Sequence, residues 1–208
     1  MKIPVTLVSV CLCLAATMAL ADDAAKTKPA GKDKNAAMDP AAMQEMMKKA
    51  AAPGPQHEWL RKMEGNWDLT VKYSMDPSQP AQETKSTSVI TSIMDGRYIQ
   101  EQSTGEMMGS PFNGMGITGY DNVMKKFVSV WIDNMGTGIM RSEGTADASG
   151  NVVTYTGTMV DPATGKSQKY RMVSTMVDDN HHTFEMFGAS PKGKGELKMM
   201  QIDYARKM

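Results

Sequence analysis

A chain of 208 residues and 22.7 kDa, 41% hydrophobic and 22% charged, is long enough for one domain with a core of its own. Its 23 basic and 23 acidic side chains cancel, which excludes the basic surface that nucleic acid or an anionic membrane needs from a main partner. Three His and two Cys leave little for a multi-ligand zinc or iron–sulfur centre, and the unusual count is 22 Met.

Residues 1–21 carry Lys2, an apolar run from Val5 to Leu14, and Ala19-Leu20-Ala21 ahead of Asp22-Asp23. That pattern predicts a secretory signal peptide cut after Ala21, since the apolar run is too short for a membrane span of roughly 20 residues. Both cysteines, Cys11 and Cys13, fall inside it, so the expected product is periplasmic or secreted, free of disulfides and without an integral membrane segment. Residues 22–52 shift to Ala, Lys, Asp, Pro and Met with no aromatic residue, the composition of a disordered linker. Within it, Asp39 as cap and Pro40 in the first turn predict a short helix to about Lys49. Met43, Met46 and Met47 then share a face that offers soft sulfur ligands to Cu(I), or simply lines a frayed helix.

A single domain is expected over 53–208. Gly54-Pro55 opens a helix from Gln56 to Glu64, closed by Gly65, with Trp59, Leu60 and Met63 on one side to cap something apolar. The period then changes: Trp67, Leu69, Val71 and Tyr73 alternate with Asp68, Thr70, Lys72 and Ser74, the mark of a half-buried strand. Turn signals follow at 76–80, 95–96, 105–111, 121–126, 134–138, 147–151, 161–165, 178–180 and 190–195, and nine turns separate ten strands. Hairpin-length connections imply an antiparallel meander, and a sheet this wide is expected to close on itself. The fold expected is therefore all-β, an antiparallel up-and-down β-barrel of about ten strands with a short N-terminal capping helix. Closure would set Arg206, on the face of Met200, Ile202 and Tyr204, beside Trp67, its guanidinium stacked on the indole and donating to backbone carbonyls.

Gly65-Asn66-Trp67 together with the late Arg206 resembles the G-x-W and closing-Arg signature of lipocalins and the wider calycin group. Thr118-Gly119-Tyr120-Asp121 only echoes the composition of the lipocalin T-D-Y motif. The stretches PQHEWLRKMEGNWDLTVKY, GRYIQEQSTGEMMGSPFNGMGITGYDNVMKKFVSVWIDNMGTGIM and DDNHHTFEMF resemble the bacterial family called domain of unknown function 1579, from about Pro53 to Lys207. That resemblance implies a barrel-like domain, calycin-like in fold, and brings no catalytic residues with it.

Chemistry-bearing constellations are few. Gly114 to Gly119 spells G-x-G-x-x-G, but no helix follows it, so the glycines are expected to relieve a curved strand. Asp178, Asp179, His181 and His182 cluster at a turn; adjacent His residues on a strand face opposite ways, so the cluster reads as a solvated hairpin. His182 shares parity with Phe184 and Met186 and is the candidate for an axial haem ligand. Glu101, Asp133 and Glu143 on strands, with Arg97 and Arg141 to pair them, read as a charged exterior. With no nucleophile elbow and no Cys nucleophile, an enzyme is not expected. The remaining set is Met107, Met108, Met140, Met159, Met172, Met176, Met186 and Met200 with Trp67, Tyr73, Trp131, Tyr155, Phe184 and Tyr204. It predicts either an adaptable interior that takes a small apolar or amphiphilic molecule, or a core filled by thioethers. Haem or copper is the alternative cofactor.

Overall fold

A computed structural model of the chain describes residues 39–74, 79–161, 164–190, 193 and 195–208. The expected signal peptide, the linker up to residue 38, and parts of the turns at 76–80, 161–165 and 190–195 lie outside the described residues.

Two helices precede the sheet: α1 (Pro40–Ala51) and α2 (Pro55–Arg61). α1 buries none of its residues, and the carbonyls at its C-terminal end are held from the barrel. Arg97 Nε donates to the Ala51 carbonyl at 3.0 Å, and Asn122 Nδ2 donates to Ala50 and Ala52 at 2.9 and 2.8 Å. α2 stops at Arg61 rather than Glu64 because its next amides reach back only three residues, Met63 to Leu60 and Glu64 to Arg61. That tighter turn frees the Lys62 and Glu64 carbonyls for another partner.

Ten strands follow: β1 (Gly65–Tyr73), β2 (Gln82–Ile93), β3 (Tyr98–Met107), β4 (Ser110–Asp121), β5 (Lys126–Asp133), β6 (Met140–Ala146), β7 (Val152–Val160), β8 (Ser167–Asp178), β9 (His181–Ala189) and β10 (Glu196–Arg206). Each pairs antiparallel with its sequence neighbours, and β1 pairs with β10, so the sheet is a closed barrel. The first and last strands meet in the register Trp67 opposite Arg206, as expected. The Arg206 guanidinium lies 4.2 Å from the Trp67 ring centroid and donates to three carbonyls, Glu64, Lys62 and Asp179, at 2.6, 2.8 and 2.8 Å. One planar fork therefore ties β1, β10, the turn after α2 and the β8–β9 turn together.

One connection is shorter than its composition suggests. Residues 105–111 read as a loop, but only Met108 and Gly109 turn, with φ of 51° and 73°. Two consecutive left-handed residues make the two-residue hairpin whose twist suits the strands, so Gly105 stays in β3 and Pro111 in β4.

The side chains separate the two ends of the barrel. Trp59 and Leu60 of α2, Met63, Trp67, Phe127, Val153 and Met176 are all buried. Edge-to-face contacts link Trp59 to Phe127 (5.4 Å) and Phe127 to Tyr120 (5.0 Å). This is the capped end. At the other end the β3–β4 turn and the β5–β6 connection leave Met108 and Met135 exposed. Among the described residues no helix is long and apolar enough to cross a membrane.

Candidate functional site

A cavity of about 290 Å³ runs inside the barrel, from Leu60 and Met63 at the capped end to Met107, Met108 and Met135 at the mouth. Strand parity builds it: β1 turns Leu69 and Val71 inward, β9 turns His182, Phe184 and Met186, and β10 turns Met200, Ile202 and Tyr204. Of the residues expected to hold a guest, Met107, Met108, Trp131, Met140, Tyr155, Met172, Phe184, Met186 and Tyr204 line the cavity, as do Met159 and Met200.

Trp67, Tyr73 and Met176 do not. Trp67 has no exposed surface, lies under Arg206 and donates from Nε1 to the Met63 carbonyl at 2.8 Å, so it closes the barrel rather than lining its interior. Tyr73 is drawn away by its hydroxyl, which donates to Gln82 Oε1 at 2.8 Å and accepts from the Met108 amide at 3.3 Å. Met176 packs in the sealed core at the capped end of β8. Strand parity turns all three inward; the contacts each one makes there, rather than its face, keep it out of the cavity wall.

The largest departure is Glu101. An acid on a barrel strand reads as exterior, yet Glu101 shares the inward face of β3 with Ile99 and Ser103 and lines the cavity. Three hydroxyls donate to one of its oxygens, Oε1: Ser88 at 2.8 Å, Ser103 at 3.0 Å and Tyr204 at 3.1 Å. Burial pushes the Glu101 carboxyl above the ordinary carboxylate range, and the three donors pull it partly back. The signal available in sequence was Ile99-x-Glu101-x-Ser103 set against Tyr98, Gln100, Gln102 and Thr104 on the other face. Glu143 does lie outside, bridged to Lys126 at 2.9 Å and Arg141 at 2.8 Å. Asp133 sits at the mouth, where it accepts from Trp131 Nε1 at 3.0 Å and from the Met135 amide. Arg97 pairs with Asp95 and with none of these three acids.

Tyr204 links Glu101 to the histidine. Its ring stacks on His182 with centroids 3.9 Å apart, and His182 meets Trp67 edge-on at 4.5 Å. Burial and the nearby Arg206 charge hold the imidazole down at about 3, so the ring is neutral. Its Nδ1 is buried without a hydrogen-bond partner among the described residues. His181 points outward and pairs with the Asp178 carboxylate at 2.9 Å, so the two histidines face opposite ways, as their adjacency requires. No cluster of three or more metal-binding side chains of the His, Cys, Asp and Glu kinds occurs among the described residues. Met43, Met46 and Met47 lie exposed on α1, which contributes nothing to the cavity wall.

The glycine run in β4 serves an aromatic ring. A Cβ on Gly116 would stand 2.8 Å from Trp131 Cε3, and one on Gly114 would strike the same indole. The two glycines form a bare strip on which Trp131, from β5, lies flat against the cavity wall.

The chain matches the model of a family described as protein of unknown function (DUF1579) over residues 52–206. No curated protein matches it. Among solved structures, Rv2717c from M. tuberculosis is similar at a TM-score of 0.55 and 14% identity, over 76% of this chain and 100% of that one. The S-type phycobiliprotein lyase CPES from Guillardia theta is similar at 0.50 and 11%, over 73% and 92%. At these identities the likeness is one of fold.

Proposed function

Since the chain belongs to the DUF1579 family of proteins of unknown function, its role has to be read from its own interior, and we propose that it is a non-catalytic binder of a small apolar or amphiphilic molecule. The observation that supports this is the cavity of about 290 Å³, walled by thioethers, aromatic rings and aliphatic side chains with a few polar groups among them. Small-molecule pockets typically start at roughly 300 Å³ and have this mixture of apolar wall and sparse polar points. Met adapts its shape to an irregular guest at little cost, which suits binding better than positioning for chemistry. The leader at residues 1–21 supports export, with the functional chain starting at Asp22. An intact mass of the native protein that includes residues 1–21 would refute that part.

Haem through His182 is the second reading, favoured by a neutral ring on the cavity wall with one nitrogen unpaired. Against it, Nδ1 is shielded by its neighbours, and a porphyrin would have to displace several of the side chains that frame so small a space. Copper on Met43, Met46 and Met47 rests on the exposed face of α1 alone.

One sample separates these readings. The protein is purified from its native compartment and examined by native mass spectrometry, metal analysis and absorption. A retained organic mass without metal is the expected result. A Soret band lost in His182→Ala, or stoichiometric copper lost in Met43→Leu with Met46→Leu, would replace the proposal with its rival.

A further inference from the structure

The charges on the cavity wall are one-sided. Its wall includes three carboxylates, Glu101 in the interior and Glu106 and Asp133 among the lining residues, and no Lys or Arg. His182 adds no positive charge, because its ring is held neutral. At the capped end the Arg206 guanidinium is taken up by the Trp67 face and by three backbone carbonyls. A guest entering this space meets a field that favours cations and opposes anions.

Glu101 concentrates that preference at one atom. Its three hydroxyl donors all converge on Oε1, while among the described residues nothing donates to Oε2. Burial raises this carboxyl, the three donors on one oxygen favour its ionised form, and an ammonium beside it would favour that form further. A carboxylate in an apolar enclosure without a cation beside it is an incomplete arrangement, and a partner that brings charge and a donor together would complete it.

Resting on the reading of the cavity as a binding pocket, we infer that its guest is a cationic amphiphile: a protonated amine on a compact apolar body, with the ammonium on Glu101 Oε2 and the body against the thioethers and Trp131. The size agrees with a small molecule, since the cavity has about twice the volume of one that holds benzene (roughly 150 Å³).

Three probes with one body and different heads test this by calorimetric titration of the full chain: octylamine, octanol and octanoate. Octylamine is expected to bind tightest and octanoate weakest. Glu101→Gln, which keeps the shape and removes the charge, is expected to weaken octylamine by about 10- to 100-fold and octanol by far less. Should octanol or octanoate bind as well as octylamine, or should E101Q leave octylamine binding intact, the inference is wrong and the pocket stands. Should none of the three bind, the pocket reading falls with it. If the E101Q chain does not fold, the ranking of the three probes on the unaltered protein decides alone.

Discussion

Arg206 shows how much one side chain can join. Its fork donates to carbonyls from two turns while its plane lies on Trp67, so no single contact describes its contribution. Lys can supply charge but neither the planar stack nor the three-way geometry. Arg206→Lys is expected to lower stability by about 1–3 kcal/mol, read from urea unfolding. His182 gives a pH dependence of definite sign. With the folded ring near 3 and the unfolded ring at 6.5, the unfolded chain binds the extra proton between those values. The stability from the neutral buried ring is complete above pH 6.5 and drains as pH falls towards 3. From pH 6.5 to 4.5 this amounts to about 2–3 kcal/mol. Glu101 acts in the opposite sense, because its raised value makes the folded chain bind a proton first. The test is therefore the difference between wild type and His182→Phe: unfolding at pH 6.5 and 4.5 should show the acid loss shrink in the variant. An equal loss in both chains would remove His182 as its source.

At the level of elements, the strands were legible because their signals are local. Trp67 to Tyr73 alternates without a break, and turn residues mark the other boundaries closely enough to count ten strands. What could not be read was which inward side chains meet the cavity. Alternation sorts a side chain into inside or outside, but whether an inward one reaches the cavity depends on its partners, as with the Gln82 side chain and Met108 amide that hold the Tyr73 hydroxyl, and on irregularities such as the bulge between Met176 and Asp178. Glu101 was hidden for another reason: its compensation comes from Ser88 on β2 and Tyr204 on β10, and the latter is separated from it by most of the domain. From sequence alone the glycine strip on β4 implies curvature, whereas its partner is the Trp131 ring on the next strand. Gly116→Ala is expected to destabilise the barrel by about 1–3 kcal/mol through overpacking. It should also shift the Trp131 indole N–H resonance, since displacing the ring loosens its bond to Asp133. An unshifted resonance would show that the strip is not what seats the indole.

For the molecule as a whole, nine of the ten strand pairings join sequence neighbours and the tenth, β1 with β10, joins the ends of the domain. Closing that seam demands the largest loop closure of any pairing, so it is expected to form after the folding transition state. Arg206→Lys should then act mainly on the unfolding rate and leave the folding rate nearly unchanged in stopped-flow measurements. A folding rate slowed in proportion to the lost stability would place the seam in the nucleus instead.

The placement of Trp131 has a practical side. The chain holds three tryptophans; Trp59 and Trp67 are buried at the capped end, and Trp131 alone of them forms part of the cavity wall. A guest seated on that wall changes the surroundings of one indole while the other two stay as they were. The protein thus carries an optical reporter of its own occupancy: a change in emission on titration comes from a known ring, and its absence in Trp131→Phe separates a filled cavity from contact elsewhere without any label.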